Sequence, residues 1–161
     1  MAGALVLAAT AGPAAAADTT TTFTVAAGAL TITAAASANL GSGVAGTTIT
    51  GSLGTVTVSD LRGANPAAWT ATVTSTAFSA TGSTPINESA ATYTPGVSSS
   101  DGNGTRTAGA AGPLSTTPRT AYTYATGIGS STTTWNPTVA LAVPGTATAT
   151  TYSGTVTHSV A

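Results

Sequence analysis

The chain has 161 residues and a formal charge of −1, with three arginines, no lysine, four acidic residues, one histidine and no cysteine, so that charged side chains make up 4% of it against about 25% in ordinary globular proteins. Arg62, Arg106 and Arg119 are scattered along the sequence, which leaves no basic stripe for a phosphate backbone or an anionic lipid surface, and nucleic acid is not an expected partner. The absence of cysteine excludes disulfides, thiolate metal sites and thiol nucleophiles.

Residues 1–17 read MAGALVLAATAGPAAAA, an apolar stretch that ends in Ala15-Ala16-Ala17 before Asp18. That ending has the A-x-A form of a signal-peptidase site, and an export signal is expected here. With Pro13 inside it, the stretch falls short of the roughly 20 apolar residues that cross a bilayer, and no later stretch is long and apolar enough. Residues 18–161 then suit one domain. From Asp18 onward threonine alternates with valine, isoleucine or alanine: Thr22-Phe23-Thr24-Val25, Leu30-Thr31-Ile32-Thr33, Thr55-Val56-Thr57-Val58 and Trp69-Thr70-Ala71-Thr72-Val73-Thr74. The same period of two returns in Thr120-Ala121-Tyr122-Thr123-Tyr124 and over residues 135–143 and 152–160. A period of two in β-branched residues, broken by Gly, Ser, Asn and Pro clusters, predicts strands. The expected fold class is all-β, a single antiparallel β-sandwich. Its core should rest on few large anchors: Phe23, Leu30, Leu53, Trp69, Phe78, Leu114, Trp135 and Leu141. Residues 98–117, rich in turn formers, are expected to be a long exposed loop.

The chemistry-bearing patterns are sparse. Gly41-Ser42-Gly43-Val44-Ala45-Gly46 has dinucleotide-fingerprint spacing, but the strand-like alternation that follows it is not the opening of a helix, so a turn is expected. A hydrolase triad would have to use His158 with Asp18, Asp60, Glu88 or Asp101, and no G-x-S-x-G elbow is present. His158 alternates in phase with Val156 and Val160 and reads as a packed strand histidine. Asp101-Gly102-Asn103-Gly104-Thr105 begins like a calcium loop yet lacks the closing glutamate, which favours a flexible turn. Asn87-Glu88-Ser89 and Asn103-Gly104-Thr105 match glycosylation acceptors and serve as markers of exposed loops. No cofactor and no metal is expected. Asp60 and Arg62, two apart, share a face of a regular strand and are expected to pair and fix a turn, with ligand binding as the sharper alternative. Trp69 and Trp135 suit either the core or stacking on sugar rings. Without lysine or glutamine, isopeptide and Thr–Gln ester cross-links are excluded, and sheet edges have almost no charge to protect them. That leaves pairing of edges with further copies or with another envelope protein as an expectation.

Two stretches resemble a known family. Leu53 to Gly63, reading LGTVTVSDLRG, followed by Trp69-Thr70-Ala71-Thr72-Val73 and Phe78, is similar to the first signature region of WxL-type surface domains of Gram-positive bacteria. Residues 135–144, WNPTVALAVP, and 152–160, YSGTVTHSV, look like the closing strands of that domain. Alanine stands where the first motif has leucine, and His158-Ser159-Val160 where the second has its tryptophan. The resemblance implies a secreted β-rich protein attached non-covalently to peptidoglycan, with Asp60, Arg62, Trp69, Trp135 and His158 in or beside the signatures. The expected function is a secreted, non-enzymatic surface protein that associates with the cell wall. The alternative is a structural subunit that self-assembles through its sheet edges.

Overall fold

Successive side chains of a strand point to opposite faces, so threonine on one face and valine, alanine or an aromatic ring on the other builds a sheet that is half wet and half buried without any charge. The computed structural model describes residues 16–161; the expected export signal lies outside them except for its last two residues. Ten strands follow in chain order: β1 (Leu30–Thr33), β2 (Thr48–Ser52), β3 (Val56–Ser75), β4 (Ala91–Thr94), β5 (Ser98–Asp101), β6 (Thr105–Ala108), β7 (Gly112–Pro113), β8 (Arg119–Trp135), β9 (Thr138–Ala142) and β10 (Val156–Val160). They form two antiparallel sheets packed together as a β-sandwich, as the alternation predicts.

The first sheet is organised around the long pair β3 and β8. β1 and β10 both bond to the outer flank of β3, one on each half, while β5 and β6 share the outer flank of β8 in the same way. In the middle of the pair, between Asp60 and Trp69, the register slips repeatedly. Gly63, Thr126 and Gly129 take positive φ there, and the Asn65–Pro66 peptide is cis. The second sheet runs β2-β9-β4-β7. Between the sheets lie Val56, Val58, Trp69, Ala71 and Val73 of β3, Ala121, Tyr122, Tyr124 and Trp135 of β8, and Ala91, Tyr93, Val139 and Leu141 of the second sheet.

Four expectations are corrected. Thr22-Phe23-Thr24-Val25 has the strand alternation but pairs with nothing among the described residues, and instead of anchoring the core Phe23 is 90% exposed and Val25 80%; alternation gives a strand its faces, not its neighbour. Residues 98–117 are not one exposed loop, because they carry β5, β6 and β7, and Leu114 is fully buried. These short pieces lie at sheet edges and need hardly any apolar side chains of their own, which is why composition hides them. Residues 135–143 are two strands rather than one: Trp135 ends β8 in the first sheet, and Asn136-Pro137 carries the chain over to β9 in the second. Proline has no N–H for a ladder bond, which ends the pairing at that point. In residues 152–160 only β10, from Val156, is a named strand; Ser153 contributes a lone bridge to Ser79.

Candidate functional site

β4, β8 and β10 bring three rings together where the two sheets meet. Trp135 Nε1 donates to the Tyr93 hydroxyl at 3.2 Å, and that hydroxyl lies 3.1 Å from His158 Nε2. An indole nitrogen can only donate, so the phenol oxygen accepts from Trp135, and it shares a second hydrogen bond with His158 Nε2 whose direction follows the imidazole tautomer. Burial lowers the His158 pKa to about 4 and pushes Tyr93 up to about 12, so at neutral pH the relay carries no charge. A general base needs a free lone pair and, in a triad, a carboxylate behind it. Here Nε2 is engaged by Tyr93.

All three arginines are half-buried and hydrogen-bond to the fold itself. Arg62 forks onto Asp60, Nε to Oδ1 at 2.9 Å and Nη2 to Oδ2 at 2.8 Å, and Nη2 also reaches the Ala68 carbonyl at 2.8 Å. Asp60 is 0% exposed. The Arg62 hydrogen bonds hold its carboxyl below the ordinary range against the opposing effect of burial. The pair therefore ties the two sides of the irregular part of β3 together: the expected ion pair is present, and it closes an interruption in a strand rather than a turn between strands. Arg106 lies over the Tyr124 ring at 4.7 Å and donates to the carbonyls of Asp101, Asn103 and Gly104 and to Thr133 Oγ1. The segment that begins like a calcium loop is thus the turn between β5 and β6, and its inward carbonyls already solvate a guanidinium. Arg119 donates to the carbonyls of Pro113 and Ala110 at 2.7 and 2.6 Å. The net effect is that the chain's few cations serve its own backbone.

Beyond the ring cluster the sandwich opens into a cleft of about 900 Å³. Ile49, Val139 and Leu141 of the second sheet form one wall, Val156 and His158 of β10 the other, and Phe78 and Ile86 also line it. Residues 34–45 and 147–155 make the rim. The sheets part here because residues near Leu40 pack onto the inner face of β2: a Cβ on Gly51 would come within 2.6 Å of the Leu40 Cα. Gly51 permits that close approach, and the loop takes the place a core side chain would have filled. No Asp, Glu, Lys or Arg lines the cleft. Its polar groups are hydroxyls, the His158 ring and backbone. Such a recess suits an uncharged ligand that offers apolar surface and hydrogen-bonding groups together.

Of the sequence-predicted residues, Asp60 and Arg62 are brought together, Trp135 and His158 share the ring cluster with centroids 6.4 Å apart, and Trp69 stacks on Tyr124 at 5.5 Å. Both tryptophans are buried, and neither offers an indole face to a glycan. His158 shares its face with Val156 and Val160, all half-buried, as the alternation predicts. Sequence reasoning missed Tyr93, the hub of the relay, and residues 34–45. Tyr93 lies in a short Ala-Thr-Tyr-Thr alternation that gives the only available signal; the loop, built from Ala, Ser, Asn and Gly, gives none. Among the described residues no cluster of His, Asp and Glu is poised to hold a metal ion, and no helix is long and apolar enough to cross a membrane. Comparison of the chain with family models, with curated proteins and with solved structures returns no significant match.

Proposed function

We propose that this is an exported, non-enzymatic surface protein that associates non-covalently with the bacterial cell wall, with peptidoglycan as the polymer and neutral contacts as the means. The observation that carries this reading is the cleft between the parted sheets, lined by hydroxyls and apolar side chains without one charged residue. A glycan strand presents hydroxyls, acetamido groups and apolar sugar faces, which match such a lining. Arginines turned onto the chain's own carbonyls and carboxylate, and a His158 Nε2 engaged by Tyr93, favour binding over catalysis. The expected result is that the exported chain co-sediments with purified Gram-positive peptidoglycan and stays in solution without it. Retention should survive high salt, since ionic contacts alone are screened. Failure to co-sediment at any salt concentration overturns the reading.

A second reading, a structural subunit that self-assembles through its sheets, is favoured by a different observation. A strand-patterned segment with Phe23 and Val25 exposed belongs to neither sheet and pairs with nothing among the described residues. Pelleting in the absence of polymer distinguishes it from wall binding.

A further inference from the structure

Two unfinished features of this chain fit one another. Upstream of β1, Thr20-Thr21-Thr22-Phe23-Thr24-Val25 is uncharged and enters no strand among the described residues; Phe23 and Val25 are exposed, and on a strand their spacing of two puts them on one face. At the open part of the sandwich, β10 is bonded on one side only, to β3, and β2 on one side only, to β9. The uncharged cleft lies between them, with Ile49 on the β2 side and Val156 and His158 on the β10 side. Soluble β proteins protect free edges with charge, lysine above all. β10 reads VTHSV and β2 reads TITGS, and neither carries a charged residue at neutral pH.

The geometry points to a second copy of this chain as the partner: we propose that residues 20–25 of one protomer lie along the free edge of β10 in the next, with Phe23 and Val25 inserted into the cleft toward Phe78, Ile86 and Leu141. Recognition of this kind takes its affinity from main-chain hydrogen bonds and its selectivity from pockets for alternate side chains. The chain's own segment does not fill its own cleft: Phe23 and Val25 are 90% and 80% exposed, and neither lines it. Because the donor segment and the cleft are different surfaces, the contact is head-to-tail and propagates into a filament unless its rotation closes a ring.

This inference rests on the self-assembly reading, and the test separates the two. The full chain, exported and recovered, is followed by light scattering over a wide concentration range beside Phe23→Asp, a change at an exposed position that leaves the core untouched. The natural sequence is expected to form a concentration-dependent ladder, and Phe23→Asp to weaken it by more than about tenfold, with Phe23→Leu restoring it. The absence of cysteine makes a second measurement clean: Thr24→Cys in one preparation and Thr150→Cys, on the cleft rim, in another should give a disulfide-linked heterodimer when mixed under oxidising conditions. A ladder that persists unchanged in Phe23→Asp, with no cross-link on mixing, overturns the seating in the cleft and leaves edge pairing by another route. A natural chain that is monomeric at every concentration overturns both.

Discussion

The two regions of the sandwich solve the same shortage of charge in opposite ways. Around Trp69, Tyr122, Tyr124 and Trp135 the sheets close on aromatic rings, with centroids 5.5 Å apart for Trp69 and Tyr124 and 4.9 Å for Tyr122 and Trp135. There Arg62 and Arg106 are spent on a buried carboxylate and on backbone carbonyls. Around Ile49, Leu141 and Val156 the sheets part, no ring from the first sheet's spine reaches across, and apolar side chains face an open cleft. A chain with few large residues cannot pack both regions densely. It concentrates its rings in one and leaves the other unfilled, so that under the proposed function stability and recognition fall to different places. Removal of a ring in the closed region should therefore cost folding, and change in the open region should cost association.

The largest effect is expected at Trp135. Truncation to alanine removes the widest fully buried side chain and deprives the Tyr93 hydroxyl of its donor, and buried Trp-to-Ala changes cost about 3–5 kcal/mol. Ile49→Ala, on the half-buried wall of the cleft, should cost about 1 kcal/mol or less. Urea unfolding of the two variants checks the contrast, and equal losses would break it.

Next comes Arg62→Ala. It leaves Asp60 fully buried with only the residue-62 backbone N–H, at 3.1 Å, on its Oδ1. Breaking a buried ion pair from one side costs about 3–5 kcal/mol. The Arg62 side chain is one-third exposed, so about 2–3 kcal/mol is expected here. Asp60→Asn in the same background should recover part of the loss, because it removes the stranded charge. A stable single variant would mean that the irregular middle of β3 holds itself without the clasp.

How much of this was legible in the sequence follows the same division. The closed region is written in period two: Val56, Val58, Trp69, Ala71, Val73, Tyr122 and Tyr124 alternate with threonine, and their burial could be read directly. The Asp60–Arg62 pair was legible from its spacing, and the packed His158 from its phase with Val156 and Val160. The open region was not legible. The cleft depends on Leu40 lying against Gly51, a contact between a loop and a strand that leaves no periodic trace, and β5 to β7 are short edge strands reading SSSD, TRTA and GP, without one large apolar residue among them. Phe23 shows the limit from the other side, since its alternation is genuine but it joins no strand of the sandwich. Tyr93 was missed because a relay is defined by which atoms donate, and that is set by the tertiary placement of Trp135 and His158.

The pH-dependent effect is the most specific, because it comes from one proton at the boundary between the two regions and vanishes at neutral pH. An unfolded histidine takes up its proton near pH 6.5, whereas burial lowers His158 in the fold to about 4. Between those values the unfolded state binds more protons, so stability falls as the pH drops through this window and is fully present above it. One proton sets a slope no steeper than about 1.4 kcal/mol per pH unit. Asp60, whose pKa is lowered by Arg62, acts in a separate and more acid window, its contribution being lost only as the pH falls below the ordinary carboxylate range. His158→Gln keeps an acceptor for the Tyr93 hydroxyl and does not titrate, so it should flatten the curve between pH 6.5 and 4 while leaving the acid limb in place. If the slope survives in His158→Gln, protonation of the imidazole is not its source; if His158→Gln also lowers stability at pH 7 by several kcal/mol, the relay is holding the sheets together and the boundary belongs to the closed region.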